Sequence, residues 1–246
     1  MSIWYAIVDL LPFQWAEAGS MLFMKNALLA VLIISPLFGL LSTMVVENRM
    51  AFFSDALGHS AFTGIAIGTL LGASVKLFAG ADPMWFAVLF AVVFALLFNW
   101  VRRRSALASD TVIGVFSSTA VALGIFIATM NGSSFTKFNQ YLIGDILSVT
   151  PGEIGLLALV LLGVVLLWIF ACNRLVLTAA HPQLASSRGI PVRGFETLFT
   201  VSIAVVVTLA MSWVGLMVIN SLLVLPAAAA RNMARNLRED HLFSVV

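Results

Sequence analysis

EIGLLALVLLGVVLLWIFAC, residues 153–172, is the stretch of this chain that most directly decides its fold. Its one charged residue, Glu153, stands at the start, and the positions that follow are apolar or glycine. A helix needs about 20 predominantly apolar residues to cross the hydrocarbon core of a membrane. The stretch therefore predicts a transmembrane helix.

The composition of the whole chain agrees with this interpretation. Of its 246 residues, 61% are hydrophobic and 10% are charged, and the mean hydropathy is +1.08. Soluble domains carry about 45–50% apolar and about 25% charged residues. The sequence predicts a multi-pass all-α transmembrane bundle that forms one domain over residues 1–246. The net charge of +2 is too small to indicate a nucleic-acid partner.

Further apolar segments bring the predicted number of membrane crossings to about seven. The block 195–230 is too long for one straight crossing, and Gly215 and Pro226 are predicted to divide it into two passes. The polar stretch 131–152 predicts an external or re-entrant connection. The aromatic residues of segment 1–20 suit an interfacial position. The other predicted crossings are 22–46, with a kink at Pro36, and 51–73, 84–101 and 110–130.

The basic residues predict the orientation of these segments. The ten arginines fall in three connections or in the C-terminal tail, and Lys25, Lys76 and Lys137 fall at the alternate ends. Lys and Arg accumulate in cytoplasmic loops of membrane proteins. The arginines are therefore predicted to be cytoplasmic and the N-terminus external, in a plasma-membrane protein.

The segment 51–73 carries the residues that most strongly indicate a function. Asp55 and His59 are four residues apart, so they lie on one face of a helix, which Thr63 continues. Counted from Arg49, His59 is predicted about 15 Å into the membrane. An aspartate there costs about 2.5–3.5 kcal/mol, so it is expected to face a cavity or a partner.

An aspartate oxygen and an imidazole nitrogen at this spacing can bind manganese, zinc or iron together. Two other hypotheses stay open. The pair could form a hydrogen-bonded clamp between helices, or it could relay protons. Gly64, Gly68 and Gly72, which recur on the same segment, are explained by close helix packing.

A polar stretch of the predicted cytoplasmic face, LTAAHPQLASSRGIPVRGFETLF (177–199), is the second notable feature. It predicts a short helix over 182–188, ended by Gly189 and Pro191. The stretch is either an ordinary loop or a docking helix for a cytoplasmic partner. His181 is interpreted as a solvent-exposed loop residue.

Several kinds of chemistry are not indicated. The sequence has no GxxxxGK[ST], HExxH or GxSxG motif, so neither ATP binding of the usual kind nor enzymatic activity is expected. Cys172, the only cysteine, is predicted to be a small apolar residue near a helix end. Ser117, Ser118 and Thr119 are interpreted as helix-packing hydroxyls.

Four stretches, in order along the chain, resemble the membrane permease subunits of zinc, manganese and iron ABC importers. They are NRMAFFSDALGHSAFTGIAIG (48–68), YLIGDILSV (141–149), HPQLASSRGIPVRGFETL (181–198) and VGLMVINSLLVLPAAAAR (214–231). The second of these is the weakest match. Two differences stand out: His181 replaces a usually acidic residue, and the chain stops at HLFSVV, where the family continues with further hydrophobic helices.

The resemblance implies an importer that works by alternating access, with ATP hydrolysed on separate subunits. The expected partners are a pair of ATP-binding subunits, a second permease copy, an extracytoplasmic metal-binding protein and membrane lipid. No permanently bound cofactor is expected. The resemblance assigns metal contact to Asp55 and His59. It assigns contact with the ATPase to the loop 181–193, at Pro182, Ala185, Gly189 and Ile190.

Two other classes of function remain as alternatives. An ion-coupled secondary transporter would use Asp55 and His59 as a proton relay and would need no ATP. A structural or assembly protein would use the same pair only as a helix clamp, and an Asn–Gln pair could then replace it. A siderophore-type permease would need a wide aromatic or amide-lined path, and the Asp–His pair argues against it.

Overall fold

The computed structural model describes residues 4–5, 8–9, 21–74, 82–130 and 143–245. This part of the chain contains nine α-helices, a short 3₁₀ helix (Ile146–Ser148) and no strand. Lys76, Lys137, most of segment 1–20 and the first part of the 131–152 connection lie outside the described residues. The helices are α1 (Leu22–Glu47), α2 (Phe53–Ser74), α3 (Pro83–Arg104), α4 (Ser109–Met130), α5 (Pro151–Ala180), α6 (Pro182–Ser187), α7 (Val192–Val214), α8 (Leu216–Met233) and α9 (Leu237–Val245).

Six of the described helices are long and apolar enough to cross a membrane, namely α1, α3, α4, α5, α7 and α8. Helix α2 is also long enough, at 22 residues, but Asp55, His59 and several hydroxyl residues lower its hydropathy. It packs against α3, α4, α7 and α8. The predicted all-α bundle of about seven crossings is therefore confirmed.

Local sequence signals set several helix starts at one end of the bundle. Asp82 caps α3, with its carboxylate accepting a hydrogen bond from Met84 N at 2.9 Å, and Pro83 follows at the first helical position. Thr150 and Glu153 form a reciprocal capping box at the start of α5. Such caps satisfy backbone N–H groups that have no partner within the helix.

The arginine-bearing helix ends meet at the opposite end of the bundle. Glu47 at the end of α1 pairs with Arg231 near the end of α8 at 3.2 Å. A cavity of about 480 Å³ lies among these ends, with Arg49, Arg102, Arg231, Glu47, Glu196 and Pro182 in its lining. This clustering agrees with a single cytoplasmic face.

The break between α7 and α8 lies at Gly215, as predicted. Gly215 has a φ of +82°, and a Cβ there would come within 2.2 Å of the carbonyl oxygen of Ile143. Only glycine allows this close approach, because it has no side chain and adopts positive φ readily. The polar connection before α5 thereby packs directly against the α7–α8 turn.

Three details of the prediction were wrong. Pro226 does not divide the last block, because α8 continues through it to Met233. Helix α5 runs to Ala180 rather than ending at Cys172, so Cys172 and Arg174 lie inside the helix. Several other arginines also belong to the first or last turns of helices rather than to loops. The predictions followed hydrophobicity, which marks the membrane boundary, whereas these helices continue beyond it.

Close packing of α2 on α3 depends on Gly64. A Cβ at this position would lie 2.6 Å from Ala87 Cα. We expect Gly64→Ala to destabilise the bundle by about 1–3 kcal/mol, because the backbones must separate. The free energy of unfolding in detergent measures this effect.

The matched control is Gly114→Ala on α4, where a Cβ meets no atom within 4 Å. At that position the intrinsic preference of a helix for alanine favours the variant by about 0.5–1 kcal/mol. Equal effects of the two variants would contradict the role of Gly64.

Candidate metal centre

Helix α2 presents Asp55 and His59 one turn apart, as the spacing predicted. The Asp55 Oδ2 and His59 Nε2 atoms are 3.5 Å apart. Their side chains are 41% and 19% exposed, respectively, so the carboxylate is the more accessible of the two groups. Asp55 lies in the first turn of α2, where the helix dipole stabilises a negative charge.

The position of this pair along the helix differs from the prediction. Helix α2 begins at Phe53, not at Arg49, because residues 49–52 form a turn. His59 is therefore about 9 Å along the helix from its start rather than about 15 Å.

Asn220 of α8 is a neighbour of Asp55 that the sequence analysis missed. Its Nδ2 atom donates a hydrogen bond to Asp55 Oδ1 at 3.2 Å, and its Oδ1 atom accepts one from the Ser54 hydroxyl at 2.6 Å. Gly58 packs directly against Leu216, the first residue of α8, and Asn220 stands one turn further along. The amide thus fixes the orientation of the carboxylate.

Helix α4 closes another side of the pair. Ser117 interacts with the Asp55 carboxylate, so its interpretation as a purely packing hydroxyl was incomplete. Ser118 and Thr119 bond carbonyls of their own helix. Thr63 is fully buried and donates to Ala120 O at 2.8 Å, so this residue joins α2 to α4.

As a metal site, Asp55 and His59 of one chain would form an incomplete coordination shell. Among the described residues, no group of three or more His, Cys, Asp and Glu side chains could hold a metal ion. Zinc takes four ligands, and manganese favours a larger oxygen-rich shell. Further ligands would have to come from water or from another chain, and the exposed carboxylate leaves room for them.

Helix α6 is the short helix that the sequence predicted within the polar stretch 177–199. It ends where expected, since Gly189 has a φ of +73° and Pro191 precedes α7. Pro182 and Gly189 are exposed and Ile190 is half-buried. Ala185 is fully buried and accepts a hydrogen bond from Ile190 N, so it holds the helix in place rather than forming its outer surface.

The outer surface of α6 contains an apolar residue that the sequence analysis did not single out. Leu184 is 45% exposed, between exposed neighbours Gln183 and Ser186. His181, at the junction of α5 and α6, is exposed as predicted. This aliphatic side chain lies at the arginine-bearing end of the bundle, where Pro182 of α6 lines the same cavity as Arg49 and Arg102.

Comparisons with known proteins place the chain in a family of transport proteins. A family model described as the ABC 3 transport family matches residues 20–246. The manganese import system permease protein ScaB of Streptococcus gordonii is 30% identical over 90% of this chain and 77% of its own length. The high-affinity zinc uptake system membrane protein ZnuB of Haemophilus influenzae is 28% identical over 85% of this chain and 77% of its own length.

A solved structure is similar over the whole chain. PsaBC from Streptococcus pneumoniae, in complex with Fab, superposes with a TM-score of 0.75 at 27% identity and covers 100% of this chain and 82% of that one. These matches confirm the resemblance to metal importer permeases and a multi-pass protein of the bacterial plasma membrane. The chain belongs to the ABC 3 transport family.

Proposed function

We propose that this chain is the membrane permease subunit of an ABC importer that carries zinc or manganese into the cell. The observation that carries the proposal is the approach of Asp55 Oδ2 to His59 Nε2 at 3.5 Å, with the carboxylate partly open. Relatives with zinc and with manganese in their names support this range of substrates.

The chemistry of the pair fits a transported ion better than a permanently bound one. One carboxylate oxygen and one imidazole nitrogen are ligands that both zinc and manganese accept. Two ligands from one chain leave positions for water and for a second permease copy, homologous or identical. An incomplete shell can release its ion, as transport requires.

Asn220, Ser54 and Ser117 support this site indirectly. Asn220 hydrogen-bonds the carboxylate, Ser54 hydrogen-bonds Asn220, and Ser117 interacts with the carboxylate from α4, so the three residues favour one orientation of the carboxylate. Groups that orient a metal ligand typically contribute about 10- to 100-fold to metal affinity. We assign these three residues a positioning role.

Helix α6 is the element through which separate ATP-binding subunits would drive transport. Pro182, Ala185, Gly189 and Ile190 define its fold and its ends, and its outer side chains are exposed. Binding of ATP to the partner would move α6, and the bundle would expose Asp55 and His59 to the two sides of the membrane in turn. An extracytoplasmic metal-binding protein would deliver the ion.

The decisive experiment measures uptake of zinc and manganese into vesicles that hold this chain, its ATP-binding subunits and its metal-binding protein. We expect uptake to require ATP on the side of the membrane where the ATP-binding subunits lie. We also expect uptake to persist when a protonophore removes the proton gradient. Uptake that a proton gradient drives without ATP would instead identify a secondary transporter with an Asp–His proton relay.

A further inference from the structure

A set of polar contacts joins the start of α7 to the end of α3. The Arg103 guanidinium donates to Glu196 Oε2 at 3.2 Å, to the Arg193 carbonyl oxygen at 2.6 Å and to the Thr197 hydroxyl at 2.9 Å. One turn deeper, Asn99 Nδ2 donates to Thr200 Oγ1 at 2.9 Å. We call these contacts the α3–α7 staple.

The two parts of the staple have different strengths. An exposed ion pair contributes little by itself, and Arg103 and Glu196 are both partly exposed. The Arg103 guanidinium, however, binds three groups of α7 at once. Asn99 and Thr200 are 3% and 1% exposed. Breaking their hydrogen bond would cost the buried Asn99 amide this partner, whereas the Thr200 hydroxyl would keep its bond to the Glu196 carbonyl oxygen. The staple therefore fixes the register of α3 against α7.

At one end the staple adjoins α6. Residues 188–191 are the whole connection from α6 to α7, and Ile190 N bonds back to Ala185 O at 3.1 Å. Val192 N bonds to Ile190 O at 2.9 Å. A displacement of α6 must move the first turn of α7, because this connection is short and hydrogen-bonded.

At the other end the staple adjoins the candidate metal centre. Phe98, next to Asn99, places its ring 4.6 Å from the Phe53 ring and 5.7 Å from the Phe116 ring. Phe53 opens α2 two residues before Asp55, and Phe116 precedes Ser117. Phe53 and Phe98 are both fully buried, so a shift of α3 displaces both walls of the site.

We propose that the α3–α7 staple, formed by Arg103 and Asn99, makes α6, the start of α7 and α3 move as one unit and so transmits the movement of α6 through Phe98 to the Asp55–His59 site. Arg103 and Asn99 are thus positioning residues for coupling and do not contact the metal. The inference rests on the proposed function, since it assumes that a partner moves α6.

The first test compares two neighbouring arginines in the vesicle system. Arg104 stacks on Trp100 of its own helix at 4.8 Å, so Arg104→Ala removes the same charge without removing the staple. We expect Arg103→Ala, with or without Asn99→Ala, to lower the metal moved per ATP hydrolysed by about 2- to 30-fold, the range found for residues that carry coupling between sites. Zinc binding to the purified variants should remain as in the original chain.

The outcomes of this test separate the two proposals. An unchanged ratio of metal to ATP in the Asn99→Ala, Arg103→Ala variant would overturn the coupling role. An equal fall in the Arg104→Ala control would do the same. Failure of the unmodified chain to transport metal with ATP would instead overturn the proposed function.

A second test replaces the hydrogen bond between Asn99 and Thr200 with a covalent cross-link. In a Cys172→Ser background, Asn99→Cys and Thr200→Cys place two thiols at the staple, where a disulfide or a short bifunctional reagent can join them. Because α3 and α7 are proposed to move together, the oxidised, cross-linked protein should move at least as much metal per ATP hydrolysed as the same variant in its reduced form. Loss of uptake on oxidation, with recovery after reduction, would show that the two helices must slide and would overturn the proposal.

Discussion

The His59→Ala variant is expected to lose metal uptake almost completely while it still inserts into the membrane. The imidazole Nε2 atom lies 3.5 Å from Asp55 Oδ2 and is one of the two ligands that we propose for the metal ion. Loss of a residue that merely orients a ligand costs about 10- to 100-fold in metal affinity, so we expect loss of the ligand itself to cost about 100-fold or more.

The measurement is uptake of radioactive zinc and manganese into the reconstituted vesicles, normalised to the amount of permease. His241→Ala is the matched control, since His241 lies on α9, where it contacts Thr43 and the Trp168 ring. That variant should keep most of its uptake. Normal uptake by His59→Ala, or equal losses in the two variants, would remove the metal assignment.

The Leu184→Asp variant is expected to lose ATP-driven uptake through a different step. Leu184 is the exposed aliphatic residue of α6, and a partner that covers it would enclose an aspartate without a counter-charge. We expect the ATP-binding subunits to bind at least about 30-fold more weakly, the effect typical of an interface hot spot. Zinc binding to the permease alone should not change, because α6 packs against α5 and α7, whereas Asp55 and His59 lie on α2.

Co-purification of the ATP-binding subunits and their ATPase rate measure this prediction. The matched control is Leu107→Asp in the connection between α3 and α4, since Leu107 is also exposed and lies at the same end of the bundle. The control should assemble normally. If Leu184→Asp assembles and hydrolyses ATP as well as the control does, α6 is not the docking helix.

The sequence was sufficient for the architecture because lipid leaves few alternatives. A chain in a membrane must satisfy its backbone hydrogen bonds within helices, and hydrophobic length then locates each crossing. Hydrophobic length does not report where a helix ends once it has left the membrane, which explains the extra residues of α5. The predicted break at Pro226 was also wrong, because α8 continues through this proline, which neighbouring helices can accommodate in a membrane bundle.

The candidate metal centre was predictable only in part. Asp55 and His59 could be found because charged residues inside an apolar segment are costly and because their spacing places them on one helix face. Asn220 is 165 residues away from Asp55 along the chain, and only the packing of α8 against α2 at Gly58 brings the two together. The signal that could have identified it was an amide within the apolar segment 216–230.

The central claim is that Asp55 and His59 together bind a divalent metal ion. The most direct test of this claim measures the equilibrium binding of zinc to the purified permease and to a double Asp55→Asn, His59→Gln variant. The two amide side chains can still form hydrogen bonds, but they replace the carboxylate and the imidazole that are proposed to bind the metal. We expect the affinity to fall by about 100-fold or more. Unchanged zinc binding in the double variant would contradict the account and leave the two residues as a helix clamp.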